Sequence, residues 1–155
     1  STFVHGRLIF LNKTRFSTEF FAQHSKNPFR SFLQRDVIGF GTRISLDDST
    51  KLGFGVLTED EEDLQGIETD TERLSMYFTD KYELAENIDL LLTAYYQPSL
   101  DETDDYKASI LTGVNFTVNE NVSISLQFSS FYDSIPPEFA DKQDEQISTE
   151  FSYSF

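Results

Sequence analysis

Gln146-Ile147-Ser148-Thr149-Glu150-Phe151-Ser152-Tyr153-Ser154-Phe155 alternates large or β-branched side chains with small or polar ones and stops on a phenylalanine. Period two puts Ile147, Thr149, Phe151, Tyr153 and Phe155 on one face of a strand and Gln146, Ser148, Glu150, Ser152 and Ser154 on the other. One face suits lipid or a core, and the other suits water.

The same alternation recurs upstream. In 105–118, Tyr106, Ala108, Ile110, Thr112, Val114, Phe116 and Val118 oppose Lys107, Ser109, Gly113, Asn115 and Thr117. In 122–133, Val122, Ile124, Leu126, Phe128 and Tyr132 oppose Ser123, Ser125, Gln127 and Ser129, and in 86–97, Ile88, Leu90, Leu92, Ala94 and Tyr96 oppose Asp89, Thr93 and Gln97. So many strands with one polar face do not fit an apolar core. A closed barrel with a polar interior and an apolar exterior accommodates them, because closure also pairs every backbone group that lipid cannot solvate.

Composition agrees. The chain has 155 residues, no cysteine, 16 phenylalanines and 7 tyrosines, and a formal net charge of −15. Without cysteine there is neither a disulfide framework nor a thiolate metal site. No apolar run approaches the roughly 20 residues of a membrane helix, and the acidic balance argues against nucleic acid.

Period-two reading predicts about nine strands, near residues 2–11, 14–24, 31–46, 51–59, 68–79, 86–97, 105–118, 122–133 and 145–155. Their connections read as short at Asn12-Lys13, Asp47 to Thr50, Asp80 to Ala85 and Asn119 to Asn121, and as long at His24 to Arg30, Asp60 to Ile67, Pro98 to Asp104 and Ser134 to Asp144. In outer-membrane barrels the short set is periplasmic and the long set extracellular. An odd strand count with a periplasmic C-terminus sets residue 1 outside, so either the first segment does not span, leaving eight strands, or one barrel domain over 1–155 lacks its N-terminal strands, and the second is the expectation here. Phe151, Tyr153 and Phe155 then resemble the terminal signal read by the barrel-assembly machinery.

Several segments together resemble the YdiY-like salt-induced outer-membrane protein family, a group described as a domain of unknown function. They are Glu19-Phe20-Phe21-Ala22-Gln23, Asn27-Pro28-Phe29-Arg30, Arg35-Asp36-Val37-Ile38-Gly39-Phe40-Gly41, Lys51-Leu52-Gly53-Phe54-Gly55, Tyr132-Asp133-Ser134-Ile135-Pro136-Pro137 and the closing strand. The resemblance implies an all-β, antiparallel transmembrane barrel in the Gram-negative outer membrane, with this chain as its C-terminal two-thirds or more. Members look longer at the N-terminus, and a whole barrel of about 12 strands fits the even-number pattern. No activity comes with the resemblance.

Three candidate chemistries stand in the residues. Glu59, Asp60, Glu61, Glu62 and Asp63 form an acidic stretch suited to loosely held Ca²⁺ or Mg²⁺, although the fixed spacing of a dedicated calcium loop is missing. Beside that stands the plainer reading of a solvated, self-repelling loop. Arg35, Arg43, Arg73, Asp89, Lys107 and Glu150, with Arg7, Arg15 and Glu19, fall on inward rows, where they would either line a pore or plug it with ion pairs. The two histidines, His5 and His24, offer little to catalysis, because the adjacent Ser25 points to the opposite face from His24. Gly39, Gly41, Gly53 and Gly55 share the inward rows, with Tyr77 and Tyr95 expected to fill the space they leave. Phe10, Phe16, Phe78, Phe116 and Phe155 at the turn end, and Tyr96, Tyr106 and Tyr132 at the loop end, read as two interfacial girdles.

The expected function is therefore non-enzymatic: a narrow pore or a structural envelope component with acidic, cation-attracting outer loops, in contact with outer-membrane lipid and lipopolysaccharide. The alternative is an interaction module that binds another envelope protein or lipopolysaccharide through its loops. A lipid-modifying enzyme ranks below both.

Overall fold

The computed structural model describes residues 2–11, 15–27, 32–102, 104–138 and 140–153, with the side chains of Leu11, Asn27 and Phe32 left aside. Phe155, Asn12-Lys13 and Pro28 to Arg30 lie outside the described residues, and so do the expectations that rest on them.

Nine strands form one sheet in sequence order: β1 (Thr2–Leu11), β2 (Phe16–Asn27), β3 (Phe32–Ser45), β4 (Lys51–Asp63), β5 (Glu68–Ala85), β6 (Ile88–Pro98), β7 (Tyr106–Asn119), β8 (Val122–Asp133) and β9 (Gln143–Tyr153). Every neighbouring pair is antiparallel. The sheet is an open meander, because β1 and β9 do not pair with each other. The shortest strand has 10 residues, enough to cross a bilayer at the tilt that barrels adopt. No helix among the described residues is long and apolar enough to do so.

Two expected boundaries are corrected. The acidic stretch expected as a loop from Asp60 is strand as far as Asp63, where the chain turns through residues 64–67 with Gly66 at φ 79°. The segment Asp80 to Ala85, expected as a connection, completes β5 instead. Both errors have one cause: charged residues lower strand propensity, yet a ladder of backbone pairs to a neighbouring strand carries β structure through them. The strict alternation of short and long connections consequently holds only toward the C-terminus, where residues 120–121 contrast with 99–105 and 134–142.

The interior is inverted relative to a water-soluble domain. Among the described residues the buried apolar side chains are Val37 and Leu57, whereas Ser17, Glu19, Ser25, Glu59, Asp63, Arg73, Ser75 and Ser99 are buried and polar. The outward rows carry exposed Leu8, Phe20, Ile38, Phe40, Phe54, Leu74, Ile110, Leu126, Ile147 and Phe151. Soluble domains bury their apolar face, so a continuous apolar exterior of this extent needs a covering. The concave face is not uniformly polar, since the register also turns Leu91, Leu111 and Phe131 inward.

Candidate functional site: the charged interior

Glycine shapes the concave face. Gly41 and Gly55 are direct cross-strand partners, and a Cβ on either would run into the other strand's backbone. A Cβ on Gly53 would occupy the Tyr77 ring, and one on Gly39 the Phe21 ring. The sheet therefore bends inward here and aromatic rings fill the hollow. Tyr77 takes the place expected of it, with Tyr95 beside it at a ring-centroid distance of 5.4 Å. Phe21 is a second filler that alternation alone does not single out; its cue is the register that sets it opposite Gly39.

Around Tyr77 lies the first ion cluster. Tyr77 Oη donates to Glu19 Oε2 at 2.7 Å and accepts from Arg43 Nε at 2.9 Å. Arg43 Nε also lies 2.6 Å from Glu19 Oε1. Its N–H points at the tyrosine hydroxyl, so the carboxylate contact is charge proximity and that oxygen has no hydrogen bond of its own. Arg7 completes the cluster, 3.9 Å from Glu19 and 5.5 Å above the Tyr77 ring. β1 and β5 are four strands apart, roughly 19 Å along a flat sheet. The contact between their side chains shows that the sheet is curled into a trough.

The second cluster sits nearer the loop end and is centred on Glu59, whose side chain is 3% exposed. Arg35 Nε donates to Glu59 Oε2 at 2.9 Å, and Arg73 Nε lies 3.6 Å from Oε1. Lys107 donates to Glu59 from β7 and bonds Glu61 at 3.0 Å, with Asp133 at 3.5 Å. Arg73 holds Asp105 through two bonds of 3.1 and 2.9 Å and reaches the Gln97 carbonyl at 3.3 Å. That fork ties the 99–105 connection to β5, and Leu100 N donating to the Glu72 carbonyl at 2.8 Å reinforces it.

The other inward residues lie apart from these clusters. Asp89 pairs with Lys81 at 3.0 Å toward the turn end, Arg15 is exposed, and Glu150 is exposed on β9 and accepts from Ser152 Oγ at 3.4 Å. Of the expected lumen residues, Arg35, Arg73 and Lys107 converge on one carboxylate, Arg43 belongs with Glu19, and Asp89 and Glu150 join neither group. Phe151 and Tyr153 face outward on β9 and are exposed.

The five acidic residues expected as a cation site do not converge. Alternation turns Glu59, Glu61 and Asp63 inward and Asp60 and Glu62 outward, opposite Asp70 and Glu68. Glu59 and Glu61 are committed to basic partners, and Asp63 Oδ1 accepts the backbone N–H groups of Gln65 and Ile67, both at 2.8 Å. Among the described residues no three acidic or histidine side chains form a metal-ligand set. Above Glu59 a cavity of about 440 Å³ opens toward the loops, bounded by Thr69, Arg73, Asp105, Lys107 and Pro136. His24 Nδ1 lies 2.6 Å from Asp36 Oδ1 on the outward face, while the inward Ser25 hydroxyl donates to the Arg35 carbonyl at 3.3 Å. The pair His24 and Ser25 is therefore divided between faces, as the alternation predicts.

The outward aromatics cluster as well. Tyr96, Tyr106 and Tyr132 form a row across β6, β7 and β8 at the loop end, with ring centroids 5.6 Å apart at each step. Phe10, Phe20 and Phe40 form a second row across β1 to β3 at 6.0 and 6.2 Å.

With this geometry in place, the comparison with known families is specific. The family described as "Protein of unknown function, DUF481" matches residues 1–155. The chain belongs to the DUF481 family. This is the family associated with the YdiY-like proteins that the sequence motifs resemble. No curated protein and no solved structure matches this DUF481 chain. Its all-β sheet with an inverted interior is consistent with an envelope β-barrel protein.

Proposed function

We propose that this DUF481 chain belongs to an outer-membrane β-barrel that acts as a structural envelope component, with its interior closed by ion pairs and its acidic loop end facing outward. One observation carries the reading: charged side chains bridge the trough from strands far apart in the sheet, Arg7 to Tyr77 and Lys107 to Glu59, beneath an exterior that is apolar and rimmed by tyrosines. Buried ions so paired are costly to separate, which favours a plug over an open channel. A small barrel's interior is just filled by such side chains.

In this reading the apolar rows face lipid, the tyrosine row lies at the outer interface, and the outward carboxylates Asp60, Glu62, Glu68 and Asp70 meet lipopolysaccharide through loosely held Ca²⁺ or Mg²⁺. The barrel-assembly machinery would insert it. No catalytic role is assigned. The cavity above Glu59 favours a second reading, in which the loop end binds another envelope protein or lipopolysaccharide.

The test is planar-bilayer recording of the full-length protein refolded into lipid, beside its Glu59→Gln variant. The structural reading expects silence from the native protein and unstable, flickering conductance from the variant. Discrete, cation-selective steps from the native protein would replace the plug with a pore.

A further inference from the structure

The polar limits of the outward face run obliquely to the rungs of the backbone ladder. At the loop end the first apolar outward residue is Ala22 on β2, beside His24, and Ile147 on β9, beside Glu145. Ala22 is level with Ile38, Thr58 and Glu72, and Ile147 with Phe128, Thr112, Leu92 and Asp80. Asp80 lies eight residues beyond Glu72 along β5, toward the turn end. The limit thus descends roughly 26 Å over seven strand spacings, roughly 34 Å, which is the slope given by strands tilted about 40° from a common axis. The turn-end limit is parallel to it, because the apolar row continues six residues from Ala22 to Phe16 on β2 and six from Phe128 to Val122 on β8.

The interior gives a second, independent measure of the same slope. Side chains that meet across the trough lie at similar heights, so the offset between their rungs reports the tilt. The rung of Arg7 runs through Phe21, Gly39, Leu57 and Arg73, yet Arg7 stacks 5.5 Å over Tyr77, four residues nearer the turn end of β5. The rung of Lys107 runs through Gln97, then Ser75 between the pairs Met76–Tyr96 and Arg73–Ser99, then Gly55. Lys107 nevertheless bonds Glu59, four residues nearer the loop end of β4. Both offsets descend in chain order, as the outer limits do. Four residues, roughly 13 Å, over four and three strand spacings correspond to tilts of about 35° and 43°, the range of outer-membrane barrels.

We propose that the partner of the outward face is a hydrocarbon layer about 25 Å thick, crossed by strands tilted about 40°, so that depth follows the oblique line and not the ladder. The inference rests on the barrel reading above and adds the layer's thickness and the depth of each residue. From Asp36 to the start of the β3–β4 turn at residue 46 the chain advances ten residues, roughly 33 Å, which project to about 25 Å along the axis. That height matches the apolar band of outer-membrane barrels and falls short of the roughly 30 Å of an average bilayer. Phe40 and Tyr106 share a rung through Val56, Leu74 and Pro98. The tilt sets them at different depths: Tyr106 is level with Asp36 at the outer interface, and Phe40 is in the hydrocarbon about 10 Å below. Phe20 and Tyr132 exchange order. The ladder sets Tyr132, level with Met76, two residues nearer the turn end than Phe20, level with Leu74, whereas the tilt makes Phe20 the deeper of the two.

The chain has no cysteine, so a single introduced thiol reports alone. Asp36→Cys, Phe40→Cys and Tyr106→Cys are each made in the full-length protein, labelled with a bimane fluorophore and refolded into phosphatidylcholine vesicles whose acyl chains are brominated near the headgroup or near the methyl end. The expected result is stronger quenching of the Phe40 site by deep bromines, stronger quenching of the Asp36 and Tyr106 sites by shallow ones, and a depth difference of about 10 Å between Phe40 and Tyr106. Phe20→Cys and Tyr132→Cys form a second pair on other strands, with Phe20 expected deeper. Equal depths for Phe40 and Tyr106, or Tyr132 deeper than Phe20, would overturn the tilt and leave the membrane reading standing. Absence of quenching by either lipid at all five sites would sink the membrane reading and the tilt with it.

Discussion

The Tyr77 hydroxyl donates a 2.7 Å hydrogen bond to Glu19, 58 residues away in sequence, and thereby joins β5 to β2 across the concave face. Glu19 is 3% exposed, and its Oε1 has no hydrogen bond. The tyrosine thus reaches over two glycine-bearing strands to satisfy a buried carboxylate.

Tyr77→Phe keeps the ring over Gly53 and removes only the donor. A hydrogen bond to a charged group contributes about 1.5–3 kcal/mol, so the variant should lose about that much stability. Urea midpoints of the protein refolded in detergent measure it. A change below about 0.5 kcal/mol would mean that Arg7 and Arg43 suffice for Glu19.

Glu59→Gln leaves Arg35, Arg73 and Lys107 facing one another without their shared carboxylate. Breaking a buried ion network from one side costs about 3–5 kcal/mol. Lys107→Met alone should also destabilise, and the double variant should cost less than the sum of the singles, because the two residues are in contact. Additive losses in that cycle would deny the coupling.

Glycine tolerance should divide by location. At Gly41→Ala the new methyl meets the backbone of Phe54 and Gly55, which cannot swing away, and overpacking of that kind costs about 1–3 kcal/mol. At Gly113→Ala the nearest atom is Gln127 Cγ at 3.8 Å, an ordinary contact. Melting temperatures of the two variants should separate clearly, with Gly113→Ala close to the parent.

Asp47 in the β3–β4 turn titrates low. Backbone and hydroxyl donors of Thr50 and Ser49 surround its carboxylate, at 2.7 Å from Thr50 N and 2.8 Å from each Ser49 donor, and hold its pKa down to about 2. A carboxylate depressed on folding contributes stability that is fully present above its unfolded value, about 3.9, and is lost as pH falls through the folded value. The stability difference between the protein and its Asp47→Ala variant should therefore be constant near neutrality and shrink below pH 4 toward pH 2. A difference that does not change with pH would remove the turn's charge from the account.

What was legible in the sequence follows from locality. Alternation is a property of consecutive residues, so the face of Glu59, Lys107, Ile147 or Phe151 can be read from its neighbours alone. The glycine rows are legible for the same reason, since the Asp47 to Thr50 turn sets the register between β3 and β4, whereas the ring over Gly53 depends on the β4–β5 register that pairs Gly53 with Tyr77. For the acidic run composition suggests a loop, whereas the pairing of Asp60 with Asp70 and of Glu62 with Glu68 keeps it in strand.

The sequence by itself determined that the chain is all-β, which side chains look inward and which outward, and so that its interior is polar beneath an apolar exterior. Only the tertiary structure decided that Lys107 meets Glu59 across 48 residues, that Arg7 meets Tyr77, and that Glu59 and Glu61 are committed to basic partners. The physical reason is that facing depends on the two-residue pleat, while partnership across the trough depends on curvature, which accumulates over many strands, and on the close backbone approach that Gly41 and Gly55 permit.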